Sequence, residues 1–259
     1  DSEVLLPTGA QEPPCHTSRE RKGSLVSDSE ARITAIVPMR HSSERVPGKN
    51  YRSFAGKPLF HHVLTTLGNS RLVREIVVDT DSELMTDAIS QDFPSVKVFE
   101  RPANLRDGAT DMNDVLANTL ESVDSEIIVQ THSTNPSLST QTLDAALQLF
   151  MDSRPAHDSL FSVNRFQARL WDSHNQPVNH SLDVLIRTQD LPPLWTENSC
   201  LYIFSKTSFS LSGRRIGNSP ILFETPPLES SDIDTESDFV IAENIHRLLQ
   251  TAGSGIKDG

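Results

Sequence analysis

Five short apolar runs, separated by stretches of helical periodicity, restrict this chain to an alternating α/β fold. The runs are Ile33-Thr34-Ala35-Ile36-Val37-Pro38, Glu75-Ile76-Val77-Val78-Asp79, Val96-Lys97-Val98-Phe99, Glu126-Ile127-Ile128-Val129-Gln130 and Ser159-Leu160-Phe161-Ser162-Val163. Runs this short and this rich in β-branched residues fit strands covered on both faces, as the strands of a parallel sheet are. Between them, Pro58 opens a helix with Leu59, Phe60, Val63, Leu64 and Leu67 at three-and-four spacing, stopped by Gly68-Asn69. Ser82 caps a helix to Gln91 carrying Leu84, Ala88 and Ile89, and Asp111 caps one carrying Val115, Leu116, Thr119, Leu120 and Val123. Ser139 or Thr140 starts a fourth, with Leu143, Leu147 and Phe150 inward. The alternation predicts an α/β chain with a doubly wound, mainly parallel sheet.

The rhythm stops after Val163. Residues 165–195 hold Arg165, Arg169, Trp171, His174, His180, Arg187 and Trp195 among prolines, with weak periodicity, which predicts a small inserted lobe. Leu201-Tyr202-Ile203-Phe204 returns to the sheet, and Ser237–Gln250 is expected to close the fold as a helix with Val240, Ile241, Ile245, Leu248 and Leu249 buried. Residues 1–31, rich in Ser, Pro, Glu and Arg and starting without Met, read as a mobile tail of a processed or excerpted chain. Residues 251–259 read as a flexible C-terminus, which leaves 32–250 as the one folded domain. A chain of 259 residues with 36% hydrophobic content can supply its core.

A formal net charge of −12 argues against nucleic acid or an anionic membrane as a partner, and no apolar run approaches the roughly 18 residues of a membrane span. Cys15 and Cys200 give neither a disulfide framework nor a zinc-ligand spacing, which fits a cytoplasmic location, and Cys200 reads as a buried strand residue. Against this acidity one segment is basic: Arg40, Arg45, Lys49, Arg52 and Lys57 fall within eighteen residues containing a single acid, Glu44. The segment follows the first strand, where an open α/β sheet receives a polyanion such as a nucleoside triphosphate, although a solvated basic loop would look the same by charge alone. It matches neither the Walker nor the dinucleotide-binding glycine pattern.

The order Arg40-x-x-Ser43-x-x-x-Pro47-x-Lys49-Asn50 resembles the nucleotide-binding signature of the sugar-activating cytidylyltransferases, the acylneuraminate group and its 3-deoxy-manno-octulosonate relatives. Nearly two hundred residues later, Asp232-Ile233-Asp234-Thr235-Glu236-Ser237-Asp238-Phe239 is similar to that group's metal-binding segment. The resemblance implies a Rossmann-like nucleotidyltransferase fold, CTP and an acidic sugar as substrates, Mg²⁺ as cofactor and a homodimer joined through the inserted lobe. Carried over by position, Arg40 and Lys49 would hold phosphates, Ser43 would add a hydroxyl donor and Asn50 would contact ribose or base. Where the acylneuraminate group often has a lysine this chain has Glu44, and the cation follows at Arg45, as in the octulosonate relatives.

Asp232 and Asp234 flank one apolar residue, so in an extended segment both carboxylates face one side, as two oxygen ligands of a hard cation require. Thr235 with Asp238 fits helix capping instead. Arg101, in Arg101-Pro102-Ala103-Asn104-Leu105, matches the family's loop near cytosine, and Thr80-Asp81 matches its Thr-Asp, where a helix cap is an equal reading. Either Gln130 or His132 would take the sugar- or base-facing position before Pro136. The family reads the sugar carboxylate with an arginine before an Asn-Gly turn, but here Glu197 precedes Asn198, which leaves Arg187 first, then Arg165 and Arg169, for that task. The expectation is a cytidylyltransferase for a sialic acid or close relative. Its rivals are an octulosonate enzyme and a non-catalytic nucleotide-binding domain, the latter disfavoured by the joint presence of Arg40, Lys49, Asp232 and Asp234.

Overall fold

The structure is a computed structural model, which describes residues 32–254; the expected tail over 1–31 and the last residues, 255–259, lie outside the described part. Seven strands form one sheet. They are β1 (Ile33–Met39), β2 (Val73–Thr80), β3 (Lys97–Glu100), β4 (Ile127–Gln130), β5 (Ser159–Phe166), β6 (Leu194–Ser205) and β7 (Pro220–Glu224). Their spatial order is β3-β2-β1-β4-β6-β5-β7. All neighbours are parallel except at β6, which runs antiparallel to both β4 and β5.

All seven residues of β1 are buried, because helices cover both faces of the sheet. Ile33, Ala35, Val37 and Met39 point to the layer formed by α1 (Leu59–Asn69), α2 (Glu83–Asp92) and α4 (Thr140–Asp152), where they meet Phe60, Leu64, Met85, Leu143 and Phe150. Ile36, with Val77 and Ile128, points to the other layer, where Leu116 and Leu120 of α3 (Met112–Leu120) and Phe209 of α5 (Lys206–Ser212) wait. Alternate side chains of a strand facing opposite layers explain the continuous apolar runs. The expected caps are in place: Ser82 accepts from the Met85 N–H, Asp111 from Asn113 and Ser139 from Thr142.

A third, smaller apolar cluster joins distant parts of the chain. Val46 of the basic loop, Phe54 of a short hairpin, Leu59, Ile233, Phe239 and Ala242 pack together. The last two belong to α6 (Glu236–Ser254), which continues four residues past the expected end at Gln250. Its buried stripe is also not the expected one, since Val240, Ile241 and Leu248 are 55%, 57% and 68% exposed. Leu84 on α2 is likewise exposed, with Met85 buried in its place. The inserted lobe is the connection between β5 and β6, shorter than expected because Arg165 and Trp195 are themselves paired strand residues. It is held by its own polar contacts: Gln167 donates to the carbonyls of Gln189 and Leu191, and Asn179 bridges Ala168 and Leu170. Strand β7 and helix α5 have no counterpart in the sequence expectation.

Candidate active site

The carboxyl ends of β1, β3 and β4 open into a cleft of about 700 Å³, lined by the segments 38–50, 101–115 and 132–134. Strand order reverses between β1 and β4, and the crevice left there by diverging connections is the usual ligand site of an open α/β sheet. The basic loop forms one wall. Gly48 turns it with φ +66°, a region costly for other residues, and a Cβ at Gly48 would lie 2.8 Å from the Tyr51 ring. Asn50, expected to contact ribose or base, lines the cleft, and its buried amide is braced by the surrounding backbone and Ser133. Its Nδ2 donates to the Arg40 carbonyl at 2.8 Å, and its Oδ1 accepts from Ser133 Oγ at 2.6 Å. Asn50 therefore ties the end of β1 to the turn after β4.

Arg40, Ser43, Arg45 and Lys49 all line the cleft. Arg40 makes no salt bridge among the described residues, and its guanidinium packs against Gly108, where a Cβ would come within 2.9 Å of Nη1. Lys49 Nζ donates to the Ile233 carbonyl at 2.6 Å. Burial lowers the Lys49 pKa, while Asp232 and Asp234 oppose that shift. The other two cations of the cluster do different work: Arg52 pairs with Glu236 at 2.6 Å and lies over the Phe239 ring, and Lys57 sits in the hairpin.

Ile233 brings the aspartates here. Its side chain is buried against Val46, and its N–H donates to the Thr134 carbonyl at 3.2 Å, so Asp232 and Asp234 on either side face away from the cluster. Burial of its carboxyl group raises the Asp232 pKa, and the like charge of Asp234 adds to the rise. Asp234 accepts from Arg45 Nη2 at 2.9 Å in an exposed pair, worth at most about 1 kcal/mol and so readily exchanged. Asp238 takes the capping role: it accepts from the Thr235 N–H at 2.7 Å and the Thr235 hydroxyl at 2.9 Å, which holds its pKa below the usual carboxylate value. Among the described residues no three His, Cys, Asp or Glu side chains cluster as a metal site. Two carboxylates beside this cation-lined cleft nevertheless suit Mg²⁺, which typically takes one or two protein carboxylates and completes its shell with substrate phosphates and water.

Buried polar residues form the cleft floor and far wall. Arg101 lines the cleft, but its Nε is 2.5 Å from Asp79 Oδ1 in a buried pair that Thr119 completes on the other oxygen. Gln130 is fully buried, between His132 Nε2 at 2.7 Å and Arg215 Nη1 at 2.8 Å, so of the two residues expected to reach a ligand only His132 lines the cleft.

The three arginines expected to read the sugar carboxylate do not line this cleft, and neither does Asn198. Arg187 stands exposed on the lobe and pairs with Asp190 at 2.6 Å. Arg169 is spent on the Ile186 carbonyl and Thr188 Oγ1, and Arg165 is an exposed strand residue. Asn198 locks strands together: its Nδ2 donates to Asn164 Oδ1 and to Thr225 Oγ1 at 2.6 Å, and its Oδ1 accepts from Ser162 Oγ at 2.6 Å. Ser199, at the position of the family's turn glycine, takes φ 57° beside the register shift between β5 and β6. Cys200 is buried, which pushes its thiol pKa up and leaves it inert. The sequence reading passed over Arg215, Tyr202, Ser133 and Gly108, which become site residues only through contacts distant in sequence.

The family described as cytidylyltransferase matches residues 34–252. The chain is 30% identical over 241 residues to the CMP-N,N'-diacetyllegionaminic acid synthase of Legionella pneumophila, covering 85% of this chain and 99% of that protein. It is 27% identical to N-acylneuraminate cytidylyltransferase A of Danio rerio over 82% of this chain, and spans half the length of that relative. Over a shorter stretch, 44% of each chain, it is 35% identical to the 3-deoxy-manno-octulosonate cytidylyltransferase of Geobacter sulfurreducens. Among solved structures, a CMP:2-keto-3-deoxy-manno-octonic acid synthetase complexed with CTP shares the fold, with TM-score 0.61, 16% identity and 86% of this chain covered against 100% of that one.

Proposed function

The chain belongs to the cytidylyltransferase family, and from that premise we propose that it joins CTP to a 2-keto-3-deoxy sugar acid, a sialic acid or close relative, giving the CMP-sugar and pyrophosphate. The observation that carries this reading is the clamp between Lys49 Nζ and the Ile233 carbonyl, 2.6 Å long, which holds the cationic loop of the cleft against the segment of the two aspartates although 184 residues separate them. In the reaction the sugar's anomeric hydroxyl attacks the α-phosphorus, and the bond from that phosphorus to the bridging oxygen of pyrophosphate breaks. Negative charge builds on the departing pyrophosphate, where Lys49, held by the Ile233 carbonyl, and Arg40 would stabilise it. Ser43 adds a neutral donor. Asp232 and Asp234 would hold Mg²⁺, whose chemistry here is charge neutralisation on the triphosphate.

Trp171, Leu182, Val184 and Leu185 are all exposed on the lobe. Apolar surface of that kind supports a homodimer formed through the lobe. Local similarity to an octulosonate enzyme favours an eight-carbon acid as the second reading. The test is incubation with CTP, Mg²⁺ and a panel of nine- and eight-carbon sugar acids, read by mass spectrometry. A CMP-sugar from a nine-carbon acid is expected; one from the octulosonate alone would favour the second reading, and none from any acid would overturn both.

A further inference from the structure

Beside the cleft, behind the hydrogen-bonded pair Gln130 and His132, stands a cation that among the described residues has only one long ion pair with an acid. Arg215 lies between α5 and β7, and its backbone N–H donates to Asn113 Oδ1 on α3 at 3.1 Å. Its guanidinium lies over the Tyr202 ring, 3.6 Å from the centroid, and Nη1 donates to Gln130 Oε1 at 2.8 Å. The side chain is only 20% exposed, yet the nearest carboxylate oxygen, Glu197 Oε1, stands 4.0 Å from Nη2, beyond hydrogen-bond length. That same oxygen already accepts the Tyr202 hydroxyl. Arg101, which lines the cleft, is different, with its acid at 2.5 Å. A guanidinium this buried is costly unless an acid pairs with it closely, and among the described residues its side chain makes one hydrogen bond, to Gln130, out of five possible donors. Two neutral groups, an aromatic face and an amide, orient it without cancelling its charge.

The hydrogen bonds also fix what lies between Arg215 and the cleft. A guanidinium only donates, so the Gln130 oxygen faces Arg215 and the Gln130 amide nitrogen faces His132 Nε2. His132 Nε2 therefore accepts, and the ring is neutral with its proton on Nδ1. Burial chiefly, with the charges of Arg215 and Lys49, pushes the His132 pKa down to about 3, so the ring stays neutral near pH 7 and adds no second positive charge beside Arg215.

We propose that Arg215 receives the carboxylate of the sugar acid and so sets the enzyme's preference for acidic over neutral sugars. This rests on the sugar-acid reading above. An arginine fork pairs with a carboxylate through two hydrogen bonds and is left unpaired by a neutral sugar, so the discrimination is large for a single residue. Tyr202 and Gln130 position the fork.

The experiment compares wild type with Arg215→Gln and Arg215→Lys. Pyrophosphate release is measured with CTP, Mg²⁺ and N-acetylneuraminic acid, N,N'-diacetyllegionaminic acid or 3-deoxy-manno-octulosonic acid, each as free acid and as methyl ester; CTP Kd and Tm are measured alongside. Wild type should prefer an acid to its ester, and Arg215→Gln should raise KM for that acid by about 30-fold, the scale of a lost charge-assisted hydrogen bond, and abolish the preference while CTP Kd stays within about twofold. Arg215→Lys, which keeps the charge but not the fork, should fall between. An unchanged preference in folded Arg215→Gln would overturn the inference alone. If Arg215→Gln loses CTP affinity or stability as well, Arg215→Lys decides: a raised KM with normal CTP Kd supports the inference, and a wild-type KM overturns it. No turnover by wild type with any acid would overturn the underlying reading and the inference with it.

Discussion

Gly108 sets how closely the loop after β3 approaches Arg40, because a methyl group there would meet the guanidinium at 2.9 Å. Since the end of a flexible side chain is what must move, Gly108→Ala should leave Tm within a few degrees and weaken CTP binding by about tenfold, the scale of one displaced charge-assisted hydrogen bond; titration calorimetry and a thermal scan measure the two. Asp238 separates capping from metal binding. Asp238→Asn should cost about 1 kcal/mol in urea unfolding and leave the Mg²⁺ requirement unchanged, whereas Asp232→Asn should raise that requirement. At this scale the sequence is legible where partners are local: Ser82, Asp111 and Ser139 cap helices two or three residues away. Asn50 and Asn198 were not legible. Their partners Ser133 and Asn164 lie 83 and 34 residues off, and an asparagine that binds a ligand looks the same in sequence as one that braces a loop.

Among the elements, the segment 232–234 is where packing and chemistry meet. Ile233 is fully buried between two aspartates, so Ile233→Ala should cost about 2–5 kcal/mol and also raise the Mg²⁺ needed for half-maximal rate, because the carboxylates lose their anchor. A stability loss with an unchanged Mg²⁺ requirement would separate the anchor from the site. The five apolar runs were readable as strands because burial on both faces leaves an unbroken signal. Strand β7 was not, since it begins with Pro220 and lies half exposed at the sheet edge, and seven-residue α5 buries only Phe209. Helix α6 was found but rotated: it docks through Phe239 and Ala242, and choosing Val240 and Ile241 instead turns the helix by about 100° per residue of phase.

Across the whole molecule, acid should destabilise this protein through its buried histidines, and one such place lies between α1 and α6. His62 and His246, with ring centroids 4.5 Å apart between α1 and α6, both have lowered pKa values, His246 down to about 4, mainly through burial. Below about pH 6.5 the unfolded chain takes up protons that the folded His246 refuses until about pH 4, so the stability this site contributes is complete above pH 6.5 and declines as pH falls towards 4. Unfolding free energies at pH 7.5 and 5 should differ, and His246→Gln should shrink that difference by about 1–2 kcal/mol. The overall architecture was legible because the basic loop after β1 and the late aspartates each carry a local pattern, but their meeting through Val46 and Ile233 was not. That meeting is the centre of the account, and steady-state pyrophosphate release from CTP and Mg²⁺, for wild type and Lys49→Ala side by side, tests it most directly. Wild type should release pyrophosphate only when a sugar acid is present, and Lys49→Ala should fall by about two orders of magnitude or more with Tm retained, as when a positioned electrostatic donor is lost. Equal rates in the two proteins, or release from wild type without a sugar acid, would contradict it.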